Sequence, residues 1–174
     1  MRQTAESVIK AAAVAAGLPE ASVIDKPKKD SLTLPKPRVE LEFMPENLIR
    51  SVKKIAKFPK PGAEMTYRTM RTRLYVRELT IRASVVTKEE DELEPLVRAL
   101  LVSMPHRTSD SDNNLVTVKA NQAVRSGFGH RMVKGLPKDR YANTLHIVFS
   151  GMICRDTDIP LIRNVNIKDG VTTS

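Results

Sequence analysis

YRTMRTRLYVRELTIRASVV (residues 67–86), followed at once by TKEEDELEPLVRALLVSM (87–104), is the stretch from which the fold is read. The first half is dense in Arg, Thr, Tyr and Val and holds neither Gly nor Pro, which is strand composition. Met70, Leu74 and Val76 share one parity within it, whereas Leu79, Ile81, Ala83 and Val85 share the other. Side chains alternate faces along a strand, so a one-residue offset turns an apolar set to the opposite side. A bulge or break is therefore expected near Arg77-Glu78. It would separate an outer strand or hairpin arm, with Arg71, Arg73 and Arg77 on its polar side, from an inner core strand.

The second half is helical. Leu93, Leu96, Val97, Leu100, Leu101 and Met104 recur at helical spacing, and Glu89, Glu90, Asp91, Glu92 and Glu94 crowd the end where negative charge suits the helix dipole. Thr87 and Glu90 have capping-box spacing. Pro95 either kinks this helix or sits in its first turn, and Pro105 ends it.

Toward the N-terminus, Arg38–Phe43 alternates, with Val39, Leu41 and Phe43 opposite Arg38, Glu40 and Glu42; this is a half-buried strand with a polar side. After Pro45, the residues Leu48, Ile49, Val52, Ile55 and Ala56 form a helical stripe backed by Arg50, Lys53, Lys54 and Lys57. That pattern predicts a basic amphipathic helix, facing either the core or a membrane, DNA or acidic protein surface. Residues 18–37 read as an extended Pro- and Lys-rich connection, and 57–78 as a basic loop and arm. Residues 4–16 read as a helix capped by Thr4, with Ala5, Val8, Ile9, Ala12 and Ala16 along one side and Gly17 as its stop. Glu6 and Lys10 interrupt its apolar stretch, which favours a surface helix over a signal peptide.

Toward the C-terminus, 106–114 is a polar loop, Leu115, Val116 and Val118 begin a strand, and 124–133 is a further extended stretch broken by Gly127 and Gly129. Residues 134–139 have turn composition. Leu145, Ile147, Phe149, Gly151 and Ile153 alternate as a strand, and 162–167 could add another. The expected fold is α/β in the broad sense (α+β): a single domain over 1–174, with one mixed or antiparallel sheet of about four to six strands, two or three helices packed on it, and the arm projecting.

At 174 residues and 41% hydrophobic, the chain is long enough for one ordinary domain. Its 4% aromatic content and lack of Trp imply an aliphatic core. The net charge of +9 is uneven: residues 1–87 hold 17 basic against 9 acidic groups, and residues 88–174 hold 12 against 11. Between Arg50 and Arg82, ten basic residues face only Glu64 and Glu78. Such a surplus points to an acidic partner surface or a polyanion, or else to a solvated face.

Catalytic chemistry finds little support. Asp110-Ser111-Asp112-Asn113-Asn114 begins like a calcium loop but has Leu115 where Gly belongs and Asn121 where Glu belongs. Asp156-Thr157-Asp158 suits a turn better than an ion site. The single cysteine, Cys154, excludes an internal disulfide, and it lies eight residues from His146 on one strand, too far for a nucleophile–base pair. There is no zinc spacing, phosphate loop, dinucleotide fingerprint or GxSxG. The reading is of no catalytic residue, no cofactor and no metal, and not an enzyme. Arg68, Arg71, Arg73, Arg77 and Arg82, with Lys53, Lys54 and Lys57, could track phosphates, but only Tyr67 and Tyr75 offer stacking. A basic nucleic-acid-binding module is the alternative function.

The strand LTIRASVVT (79–87) running into the helix EEDELEPLVRALLVSMP (89–105), with the late strand NTLHIVFSGMICRD (143–156), resembles the tail terminator and neck (tail-completion) proteins of long-tailed phages in layout. The resemblance implies an α/β subunit of a ring, typically hexameric, that caps the tail tube and joins it to the head. It further implies a virion protein assembled in the host cytoplasm. Its partners would be its own copies, a tube or sheath protein and a neck or head-completion protein, with DNA passing the lumen without sequence-specific binding and no membrane contact. On that expectation Arg71, Arg73, Arg77, Lys53, Lys54 and Lys57 are subunit or tube contacts.

Overall fold

The computed structural model describes residues 1–26, 34–59, 67–125, 128–133 and 136–160. The expected extension at 162–167 and the loop at 60–66 lie outside the described residues. The protein is α+β, with one open sheet of eight strands and two helices. In chain order these are α1 (Arg2–Ala15), a 3-10 turn (Glu20–Ser22), β1 (Val23–Asp25), β2 (Arg38–Phe43), β3 (Asn47–Pro59), β4 (Tyr67–Thr87), α2 (Leu93–Ser103), β5 (Arg107–Ser109), β6 (Leu115–Arg125), β7 (Phe128–Val133) and β8 (Leu136–Pro160). Six strands follow the order β1-β2-β4-β8-β6-β5, while β3 pairs with β4 and β7 with β8. The sheet is mixed, since β1 is parallel to β2 whereas the β2–β4, β5–β6, β6–β8 and β7–β8 ladders are antiparallel.

Eight strands exceed the expected four to six, and particular segments account for the difference. The basic segment after Pro45 is not a helix but the strand β3. Its aliphatic residues fit helical spacing, yet Ile49, Val52 and Ile55 are β-branched and prefer extended backbone. Pairing with β4 supplies the backbone partners, and Leu48, Ile49, Val52 and Ile55 remain 39–68% exposed, so no core face forms. The Pro- and Lys-rich connection contains β1, and the polar loop after α2 contains β5. Strand pairing overrides the turn composition from Leu136 onward, where β8 begins.

The chain parts into two compact units, Met1–Ile49 with Val76–Met152 and Arg50–Tyr75 with Ile153–Ser174. The division falls inside β4, between Tyr75 and Val76. The strand itself runs unbroken through Arg77-Glu78, so of the expected bulge or break the break is absent there. Leu79, Ile81, Ala83 and Val85 are buried in strict alternation, as their parity requires. Nearer the start of β4 the buried residues are Thr69 and Thr72, three apart, so the regular pleat belongs to the first unit only.

The first unit holds the whole described hydrophobic core. Val39 pairs with Val85 and Leu41 with Ala83, while Val118 pairs with Phe149, which aligns apolar side chains across neighbouring strands on the face that the helices cover. Helix α1 contributes Ala5, Ile9, Ala12 and Ala13, and α2 contributes Leu93, Val97 and Leu100. The end of α1 is closed by Gly17 at φ 92°, with Gly17 N–H donating to the Val14 carbonyl and Leu18 N–H to that of Ala13. Leu18 is then buried against the same core, completing the left-handed helix stop that only glycine adopts without cost. Met1, not Thr4, is the N-cap, and it makes no side-chain cap bond. Helix α2 starts at Leu93 with Pro95 in its first turn, where the missing N–H has no intrahelical role. Thr87 ends β4 instead of capping α2, its hydroxyl donating to the Glu89 carbonyl.

The polar side of β2 is not solvated. Arg38 and Glu40 are each 2% exposed and pair at 2.7–2.8 Å, and Arg38 also donates to the Leu34 and Pro35 carbonyls. Two charges taken this far out of water persist only when they are paired and hydrogen-bonded, as these are.

Candidate functional site

The six cations singled out in the sequence divide between the two units. Arg77 belongs to the first. Its side chain is 17% exposed and turned onto Asp110, with Nη2 donating at 3.1 Å, while Nε lies 3.7 Å from Glu46. That second distance is an electrostatic contact and not a hydrogen bond, consistent with Nε having no bonded partner among the described residues. Asp110 is itself buried and receives the backbone N–H groups of Asp112 and Asn114 on Oδ1. Burial alone would raise its carboxyl pKa, but those N–H groups, the Asn114 amide and Arg77 together hold it below the ordinary carboxylate range. The 110–114 stretch is thus a turn folded around one carboxylate, with Asn113 in the left-handed region at φ 57°.

The second unit carries Arg71, Arg73, Lys53, Lys54 and Lys57. Arg71 grips Asp156 with two parallel bonds, Nε to Oδ1 at 2.8 Å and Nη2 to Oδ2 at 2.7 Å. The hydrogen bond from Arg71 lowers the Asp156 carboxyl and correspondingly raises the guanidinium. Both side chains are about a third exposed, so the pair stabilises by under about 1 kcal/mol. Thr69 donates to Asp158 at 2.9 Å, a second tie between β4 and β8. The two carboxylates read from sequence as a turn therefore brace a ladder. Arg73 is half-buried, and its Nε has no hydrogen-bond partner among the described residues.

Lys53, Lys54 and Lys57 are all exposed on β3, along with Leu48, Ile49, Val52 and Ile55. Alternation puts Lys53, Ile55 and Lys57 on one face and Val52, Lys54 and Ala56 on the other, so both faces mix aliphatic and basic side chains. Only β4 pairs with β3 among the described strands, so among the described residues its other backbone edge has no partner. No hydrophobic residue of the second unit is buried among the described residues. Covering the four aliphatic side chains would contribute about 1–2 kcal/mol each at the usual area coefficient. A long, open, partly aliphatic edge is a template for another chain, and the lysines restrict which chain can use it.

Sequence reasoning found the cations and left the aliphatic stripe beside them open between the core and a partner surface; read as a helix, the segment could not show aliphatic residues exposed on both faces of a strand. It also missed Asp110 and Asp156 as partners of Arg77 and Arg71. Spacing in sequence carries no signal for pairs 33 and 85 residues apart.

Among the described residues no group of three His, Cys, Asp or Glu side chains is placed to hold a metal ion. His146 and Cys154 lie on β8 at positions eight residues apart, Cys154 half-buried. Among the described residues no helix is long and apolar enough to cross a membrane. Neither a protein-family model nor a curated protein matches the chain.

Proposed function

We propose that this protein is a structural assembly subunit, acting by binding and not by catalysis, and that it forms a ring at the head-proximal end of a phage tail. In this reading the ring ends growth of the tail tube and offers a docking face to the head. Its partners are its own copies, a tube or sheath protein and a neck or head-completion protein, with DNA passing through the lumen. The observation that carries the assembly part is the composition of β3: thirteen residues of strand, aliphatic and basic on both faces, with β4 its only partner among the described strands. A strand so arranged leaves apolar area in water that a partner chain would cover. The phage tail setting rests on the resemblance in layout of the β4–α2 unit and the late strand β8.

Two measurements test the reading. Sedimentation velocity and negative-stain images of the purified protein are expected to give one closed oligomer, either alone or on the ends of tail tubes. A monomer at every concentration that also leaves tube ends bare overturns it. Exposed Tyr67 and Tyr75 beside the basic strands favour, as a second reading, a single-stranded nucleic-acid surface. That reading requires DNA or RNA affinity that falls steeply with salt, and binding that is absent at low salt removes it.

A further inference from the structure

Resting on the assembly reading, we infer that the contact between subunits is head-to-tail: β3 of one copy docks on the acidic turn before α2, and on the outer face of α2, in the next copy. The first surface holds Arg50, Lys53, Lys54 and Lys57 with no acidic residue between Asn47 and Pro59. The second holds Glu89, Glu90, Asp91, Glu92 and Glu94, all exposed, against only Lys88 and Arg98 between positions 88 and 102. Each surface also has uncovered aliphatic area, since Val52 is 68% exposed on β3 while Val102 is 78% and Leu101 37% exposed on α2. Glu94, Pro95, Arg98, Ala99 and Val102 line a shallow cleft of about 480 Å³ there. Both surfaces thus set exposed aliphatic side chains beside charge, and the charges are opposite.

Charge also selects this occupant over a two-fold contact. Pairing β3 with β3 of a second copy sets four cations against four, and like charges across a ladder oppose it. A nucleic acid would meet the cations but leave the aliphatic residues in water. A contact between two different patches of the same chain is heterologous, and it closes into a ring when the rotation between copies permits.

The test uses three full-length variants: Lys53→Glu with Lys54→Glu and Lys57→Glu; Glu89→Lys with Glu92→Lys and Glu94→Lys; and all six together. Sedimentation velocity is run where the wild type is assembled. Each triple variant is expected to associate at least tenfold more weakly. The six-fold variant and an equimolar mixture of the two triples are expected to regain the wild-type mass. The six-fold variant keeps the wild-type net charge, so its recovery isolates the pairing from overall repulsion. Circular dichroism checks folding, and Val52→Ser and Val102→Ser, each expected to weaken assembly severalfold, provide a route that involves no charge. Wild-type mass in either triple variant, or a folded six-fold variant that stays monomeric, overturns this contact while leaving assembly intact. A wild type that never assembles overturns the assembly reading as well, and a species that forms only with added DNA assigns the surface to nucleic acid.

Discussion

Asp110 takes two backbone N–H groups, the Asn114 amide and Arg77 on its two carboxylate oxygens. Asp110→Ala strips the 110–114 turn of its acceptor and leaves Arg77 in a largely buried place without its closest counter-charge. A loss of about 2–4 kcal/mol is expected in urea denaturation. Its folded pKa is depressed from 3.8, so the unfolded state binds the proton more readily. The contribution is therefore fully present above about pH 5 and is lost as pH falls through the folded value. The stability gap between wild type and Asp110→Asn should stay constant from neutral pH to about pH 5, then narrow in acid. A gap that widens toward low pH contradicts this assignment. The buried pair at β2 behaves differently. Glu40→Ala takes the paired carboxylate from the buried Arg38 guanidinium and should cost about 3–5 kcal/mol, whereas Arg38→Met with Glu40→Leu should cost far less.

At the scale of elements, α1 depends on its stop. Gly17→Ala meets no atom within 4 Å, so its cost is purely that of the left-handed backbone, about 1 kcal/mol by thermal melting. Helix α2 and strand β3 show how far one element's environment departs from another's. Val97→Ala, in the core, should lose about 2 kcal/mol, whereas Val52→Ser on β3 should change monomer stability by less than about 0.5 kcal/mol. Large destabilisation of a monomer by Val52→Ser would mean that β3 is covered by its own chain. The helical stripe at 48–56 is a case where period alone cannot decide: Leu48, Ile49, Val52 and Ile55 satisfy 3.6-residue spacing and also lie on a strand. Leu79, Ile81, Ala83 and Val85 had no such ambiguity, because strict alternation has no helical counterpart.

For the whole molecule, the core belongs to one unit and the candidate surface largely to the other. Assembly and folding should therefore respond to different substitutions. Charge reversal at Lys53, Lys54 and Lys57 should leave the unfolding free energy of the dilute monomer within about 0.5 kcal/mol of wild type while weakening assembly at least tenfold. Reversal at Arg77 should do the opposite first, placing a third carboxylate beside Asp110 and Glu46 and unfolding the first unit before any interface is tested. A midpoint unchanged by Arg77→Glu would show that the Asp110 contact contributes nothing.

The sequence by itself determined the α+β class, the core strand at 79–85, the core-facing helix after it and the late strand of β8. Each is a local pattern in which neighbouring residues must share a face, so periodicity suffices. It also determined where the positive charge lies. Only the tertiary structure decided that β3 is a strand, that Arg38 and Glu40 are buried, and that Arg77 and Arg71 are turned onto Asp110 and Asp156. Those outcomes depend on which strands lie side by side, and pairing between residues tens of positions apart leaves no periodic trace in the chain.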